Sequence, residues 1–273
     1  MSVADLVQRV QEVCPLPATA SRVAELARDE NTPIARIAGV IATDPALAAQ
    51  MMRLANSAAF GRPRGVSELE QAVLLIGLDG IQRMAAAMAM LVAFHSKNEL
   101  SFHFHDRAVL AGSIARVLGS KLPGVDPNVA FLCGLLSEIG AMACAAVDTD
   151  EYHRICEAAT DLEDREAKET ARYGGTSRQV GAELLRRNSL PELVAKAIES
   201  DPTAPDATSL ECLTGFVRRA ADAVRTSRGN KDVLSVALES IRTTTALPLP
   251  LDQVLDACVR AATAALSALR QNR

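Results

Sequence analysis

Chemistry in this sequence would have to come from its histidine, cysteine, acidic and arginine side chains, and the first two are sparse. Of four histidines, His95, His103 and His105 cluster with Asp106 adjacent, and His153 stands apart. Metal ligands sharing a helix face need a spacing of three or four residues. His103 and His105 are two apart, so a helix points them away from each other. They read as solvated side chains at a helix start. No Cys has a His placed to act as its base, and no G-x-S-x-G elbow is present. Gly174-Gly175-Thr176 lacks the Lys and the spacing of a P-loop. The six cysteines are scattered through apolar runs without a C-x-x-C pair. They read as small core residues of a reduced, cytoplasmic protein. The expectation is no catalytic residue, no cofactor and no bound metal.

Arginines are more suggestive. Arg62 and Arg64 flank Pro63 in a Gly-bounded loop, Arg53 lies on the helix before it, and Arg83 on the long helix after it. An arginine fork recognises phosphate or carboxylate, and a Pro-stiffened loop loses little entropy on binding. Asn56 and Ser57 end the preceding helix, where they either bond its loose last carbonyls or the next loop, or join a partner or ligand surface. The loop is therefore read two ways: as a solvated turn with local ion pairs, or as a surface for an acidic partner or a nucleotide. A second run, Arg218, Arg219, Arg225 and Arg228, reads as the solvated face of a C-terminal helix. Net charge is −4, so no global basic field exists for a nucleic acid backbone. Aromatics total 3% with no Trp, which argues against base stacking.

The elements that must position these groups are helices. Roughly one residue in six is alanine, which favours close-packed helices, and no period-2 strand appears. Ser2 caps a helix to about Val13, and Pro15-Leu16-Pro17 stops it. A second helix covers about Ala18 to Arg28. Thr32-Pro33 and Asp44-Pro45 open the next two, and Ser67 with Glu70 forms a capping box for a fifth. A long apolar helix from about Asp79 to His95 is the expected spine. Its Met84–Phe94 stretch, read as the most apolar in the chain, is about half of a membrane crossing. Further helices follow over Phe102–Ser120 and from Asp126-Pro127 to Val147. Two polar ones come before Tyr173, one starts at Thr176 or Ser177, and one at Leu190-Pro191. Asp201 to Asp206 is the hinge, and three amphipathic helices end the chain.

Several segments together resemble the HDOD (HD-related output domain) family of bacterial signalling proteins. They are Leu16-Pro17, Asp44-Pro45-Ala46-Leu47, Leu54-Ala55-Asn56-Ser57, Phe60-Gly61-Arg62-Pro63 and Leu75-Ile76-Gly77-Leu78. To these the later chain adds Phe131 to Leu136, Ile139-Gly140, Val180 to Leu185 and Leu190-Pro191-Glu192-Leu193-Val194. The resemblance implies an all-α, HD-related multi-helix bundle with an N-terminal helical sub-bundle. The expected division is an HDOD domain over 1–205, comprising sub-bundles 1–95 and 96–205. A C-terminal extension over 206–273 should pack on the HD-like part. The resemblance also says where the metal ligands of an HD phosphohydrolase would fall. The His-Asp pair falls at Ser137-Glu138, an earlier His near Asp106, a later one at Ser177, and a further pair at Ser200-Asp201. None is His, so the metal site is degenerate.

The functional expectation is a non-catalytic, cytoplasmic signalling module working through protein partners, with a homo-oligomer compatible. No receiver, PAS, GGDEF or EAL segment is evident, so the expectation is either a stand-alone regulator or one that takes its input through another protein. Two alternatives are a sensor for a second-messenger nucleotide such as cyclic di-GMP, and a residual HD phosphohydrolase, which the lost ligands count against. Partner or ligand contact is placed at Arg53, Asn56, Ser57, Arg62 and Arg64.

Overall fold

A computed structural model describes residues 1–270 apart from 16–17, 28, 30, 57–65, 96–98, 189, 228–229 and 246. The described residues form helices and connecting turns, with no strand among them. The N-terminal helices are α1 (Val3–Val13), α2 (Ala18–Ala27), α3 (Ile34–Ala42), α4 (Pro45–Ala55), α5 (Leu69–Ile76) and α6 (Leu78–His95). The middle of the chain holds α7 (Glu99–Gly119), α8 (Pro127–Leu136), α9 (Ile139–Val147), α10 (Thr149–Ala158), α11 (Leu162–Tyr173), α12 (Ser177–Arg187) and α13 (Glu192–Glu199). The last three are α14 (Ser209–Thr226), α15 (Lys231–Thr244) and α16 (Leu251–Arg270).

Several helix starts follow local capping chemistry. Ser2 and Asp5 form a reciprocal capping box on α1, and Thr176 and Gln179 form one on α12. Asp44 Oδ1 accepts from the amides of Ala46 and Leu47, and Asp126 from that of Asn128 with Pro127 next in line. Two expected caps do not form. Helix α5 begins at Leu69, past Ser67, and its cap residue Glu68 accepts from the Gln71 side chain instead. On α3 the cap is Pro33, which has no side-chain donor or acceptor, and Thr32 is buried beside it.

Helices α2 to α6 pack on one another as the N-terminal unit, and α6 also touches α7, α8 and α9. Helix α1 leaves that unit and packs on α9 and α12, so the division at residue 95 does not hold for the first helix. Its buried face, Leu6, Val7 and Val10, is a stripe at helical spacing that needs an apolar partner, which α9 supplies.

The central departure from expectation lies between Asp126 and Val147. One continuous helix was expected, and two form, with Ser137 and Glu138 at the break. This run, Pro127–Val147, is also the one described segment long and apolar enough to cross a membrane, which corrects the choice of Met84–Phe94. It is 94% buried inside the protein, which gives it the environment of a core element. At the break, the Ser137 hydroxyl donates to the Gly134 carbonyl at 2.7 Å, and Glu138 adopts φ −106°, ψ 7°. Just after it, Gly140 lets α9 meet the start of α12. A Cβ there would lie 1.8 Å from the Ser177 carbonyl oxygen, so only glycine permits the approach.

Candidate functional site

Glu138 sits in the middle of that apolar run and is 1% exposed. Taking a carboxylate out of water costs several kcal/mol unless cations meet it. Three do. Arg107 on α7 donates to Glu138 Oε1 at 2.8 Å, Arg165 on α11 reaches Oε2 at 3.5 Å, and the Nε of Arg218 on α14 lies 3.7 Å from Oε1. Burial pushes the Glu138 carboxyl up, but the charges of Arg107, Arg165 and Arg218 outweigh it and bring the pKa down to about 2.

The arginines are in turn held by other carboxylates. Arg107 pairs with Asp222 at 2.5 Å and donates to the Arg218 carbonyl at 3.2 Å. The Nε of Arg165 lies 3.3 Å from Glu169, and its guanidinium stands 5.4 Å from the Phe104 ring centre. Glu169, with no exposure, also accepts the Tyr152 hydroxyl and the Ser177 amide, each at 2.6 Å. Arg218 donates to Glu166 at 2.7 Å and to the Ser177 hydroxyl at 3.1 Å. Arg178 forks onto both oxygens of Glu166 at 2.8 Å and ties down the Ser200 carbonyl at 2.6 Å. Burial raises the Glu166 carboxyl, and the hydrogen bonds and charges of Arg178 and Arg218 more than reverse this. The result is a chain of alternating charges from α7 through α11 and α12 to α14.

Three of the six residues matched to HD ligands converge here. Ser137 lines the site, Glu138 is its centre, and Ser177 supplies both an amide and a hydroxyl. Asp106 is exposed, because it faces away from the bundle on α7, and the next residue, Arg107, turns inward. Of the further pair, the Ser200 hydroxyl lies 2.9 Å from Glu211 and Asp201 caps its own turn by accepting from the amide of Thr203. Among the described residues no three His, Cys, Asp or Glu side chains are grouped to hold a metal ion.

Two readings are corrected. Arg218 is 3% exposed, so it does not belong to a solvated face, and Arg219 is half-buried and pairs with the exposed Glu163. The signal was present: Thr214, Val217, Arg218 and Ala221 share one stripe of α14, and all four are buried. His105 is 6% exposed, with Asp106 at 3.9 Å, because α7 starts at Glu99 and places it inside the helix. The sequence reading missed Arg107, Arg165, Glu166, Glu169 and Arg178. For Arg165 and Glu169 an i,i+4 pair in a polar helix looks like surface, and nothing local marks it as buried.

The N-terminal surface is only partly described. Ser57, Arg62, Arg64 and Arg228 lie outside the described residues, as do the side chains of Arg53, Arg83 and Arg225. Asn56 is described. Its side-chain NH₂ donates to the Val66 carbonyl at 2.9 Å, and its oxygen accepts from the Val66 amide at 2.6 Å. One side chain thus engages both backbone polar groups of Val66, ten residues on.

Beside the charge chain a cleft of about 250 Å³ opens between α11, α12, α13 and α14, with Ser137, Arg178 and Arg218 among its lining residues.

The family model of the HDOD domain matches residues 13–203. The chain belongs to the HDOD family. The match ends before α14, so Arg218 enters the charge chain from beyond the matched segment of this HDOD protein. Solved structures share its fold at low identity. An HDOD domain protein from Geobacter sulfurreducens is 20% identical with a TM-score of 0.64, covering 98% of this chain and 99% of that one. A Shewanella amazonensis SB2B protein, named a candidate phosphohydrolase, is 21% identical with a TM-score of 0.70, covering 97% and 98%. A Marinobacter aquaeolei VT8 protein, named a candidate signal transduction protein, is 23% identical with a TM-score of 0.66. It is covered over 62% of its length by the whole of this chain. An uncharacterized protein of Treponema pallidum (strain Nichols) is 24% identical over 211 residues, 75% of this HDOD chain. The chain spans 40% of the length of that curated relative.

Proposed function

We propose that this chain is a non-catalytic signalling module of the HD-like kind, cytoplasmic, which acts by binding other proteins. The observation that carries the reading is the state of Glu138. A hydrolytic metal would need its two oxygens, and these face three guanidinium groups at 2.8, 3.5 and 3.7 Å. A dication placed there would be repelled by all three, and Ser137 and Ser177 offer hydroxyls where imidazoles would be needed. These residues do not fit an HD metal centre. They fit a rigid, charge-paired core that fixes how α7, α9, α11 and α14 sit together.

Support comes also from the name of the Marinobacter relative, a candidate signal transduction protein. The test is direct. The chain is equilibrated with Mn²⁺ or Fe²⁺, desalted, analysed for metal and assayed on bis-p-nitrophenyl phosphate. Substoichiometric metal and background hydrolysis are expected. Metal at one equivalent, or turnover, that disappears in Glu138→Gln overturns the reading.

In this reading the partner surface is the segment 57–65, with Arg62 and Arg64 as its cationic groups and Arg53, Asn56 and Ser57 before them in the sequence. Asn56 itself is tied to Val66, which engages both polar atoms of its amide. Replacing Arg62 and Arg64 by Glu is expected to weaken capture of a protein partner while thermal stability changes by less than about 1 kcal/mol. Partner binding equal to wild type, measured with a purified partner at two salt concentrations, would move the surface elsewhere.

A further inference from the structure

We propose that the cleft between α11, α12, α13 and α14 binds a small oxyanion, inorganic phosphate or the phosphate end of a monoester, and that Glu163 is its built-in competitor. This goes beyond the partner-binding reading and does not rest on it.

Charge at the floor of the cleft is the first argument. One carboxylate, Glu166, serves two guanidiniums, accepting the fork of Arg178 and an NH of Arg218. Arg218 is 3% exposed, and its Nε–H has no hydrogen-bond acceptor. Its nearest carboxylate oxygen is on Glu138, which two other arginines share. Arg178, Arg218 and Arg219 line the cleft together with Glu163, Glu166 and Asp201, so the lining is charge-balanced while Glu163 is in place and gains one positive charge when Glu163 leaves.

The mouth supplies the second argument. Arg219 reaches Glu163 at 2.6 Å, with side-chain exposures of 19% and 64%. An ion pair with one partner this exposed contributes little to stability and is readily exchanged. When Glu163 swings into solvent, Arg219 is left facing the cleft beside Arg178 and Arg218. A tetrahedral oxyanion can then replace the Glu163 carboxylate on the Arg219 fork.

Hydroxyl protons decide the ligand's polarity. Ser137 donates to the Gly134 carbonyl, Thr214 to the Leu210 carbonyl, and Thr203 to Asp201. The lining donors are then guanidinium N–H groups, so a ligand that takes the place of Glu163 on Arg219 must accept hydrogen bonds as that carboxylate does. Asp201 on the rim opposes an anion, but its Oδ1 is already engaged by the Thr203 amide and hydroxyl. Size narrows the choice further. A cleft of about 250 Å³ lies below the roughly 300–1,000 Å³ that encloses a drug-sized ligand. It admits a phosphate group and leaves a larger molecule outside.

The experiment is calorimetric titration of the full chain with inorganic phosphate, phenyl phosphate and cyclic di-GMP in separate arms. Each is run on wild type, Glu163→Gln, Arg219→Gln and the distant surface variant Arg154→Gln. Saturable binding of inorganic phosphate or phenyl phosphate is expected, with the stronger arm identifying free ion or monoester as the source. Arg219→Gln should weaken binding about tenfold and Glu163→Gln should tighten it several-fold, because the internal competitor is gone. Arg154→Gln should match wild type. Opposite shifts from the two members of one ion pair are not what a purely structural pair would give. The proposal is overturned by no saturation up to about 10 mM phosphate. It is equally overturned if Glu163→Gln fails to tighten binding, or if cyclic di-GMP binds more tightly than either small ligand and is indifferent to Arg219. Circular dichroism of each variant establishes folding. Because no metal or turnover is measured, failure here leaves the non-catalytic reading as it stood.

Discussion

At the scale of single residues, Glu138 and its three arginines depend on one another. Removing the carboxylate leaves Arg107, Arg165 and Arg218 confronting each other in the core, so Glu138→Ala is expected to cost about 3–5 kcal/mol in urea unfolding. Formate, small enough to enter the vacated space, should recover part of that loss in the variant and do nothing for wild type. Equal effects on both proteins would mean the arginines had found other partners. The pH dependence follows from the same charges. The Glu138 pKa falls from the ordinary 4.5 to about 2 in the folded chain. A depressed carboxyl stabilises the fold fully above about pH 4.5, and the contribution fades as pH falls towards 2. Glu138→Gln should therefore flatten this acid limb of the stability curve. An unchanged slope between pH 4.5 and 2.5 would count against the assignment.

Between elements, two contacts fix where the site residues lie. Helices α9 and α12 meet through Gly140, where a Cβ would collide with the Ser177 carbonyl at 1.8 Å. That collision is with backbone, so it cannot be relieved by a side-chain rotation. Gly140→Ala should cost about 1–3 kcal/mol or more by thermal or urea unfolding and push Ser177 away from Arg218. A stability within a few tenths of wild type would show that the two helices slide apart freely. The second contact is Asn56 with Val66. Asn56→Ala removes two hydrogen bonds, worth about 1–2 kcal/mol together. It should raise amide exchange at Val66 first, since the Val66 amide is one of the two groups the Asn56 side chain holds.

On the scale of the whole molecule, the C-terminal helices are part of the site although the family match stops at residue 203. Helix α14 buries Leu213, Phe216, Val217, Ala220 and Ala221 and contributes Arg218 to Glu138 and Glu166. A chain ending at residue 205 would expose the faces of α7 and α8 that α14 covers and leave Glu138 short of one cation. It should lose cooperative unfolding by calorimetry. A sharp transition at the wild-type temperature would make 206–273 a separable appendage, as the boundary at 205 had suggested.

What the sequence determined by itself was whatever depends on neighbours a few residues apart. Ser2, Asp44, Asp126 and Thr176 start their helices because each side chain reaches amides two or three positions on. Alanine content and the absence of alternating strands were enough for the all-α class, and motif order was enough for the family. The failures have a common cause. Whether Asp126–Val147 runs as one helix or breaks at Ser137 depends on what Glu138 can reach after the chain turns. Its partners stand 31 and 27 residues away at Arg107 and Arg165, and farther still at Arg218. An arginine looks the same in sequence on a wet face and in a core, because the difference lies in the carboxylate opposite it. That pairing is set only when α7, α9, α11 and α14 close on one another, with burial strengthening each charge's need for its counterpart.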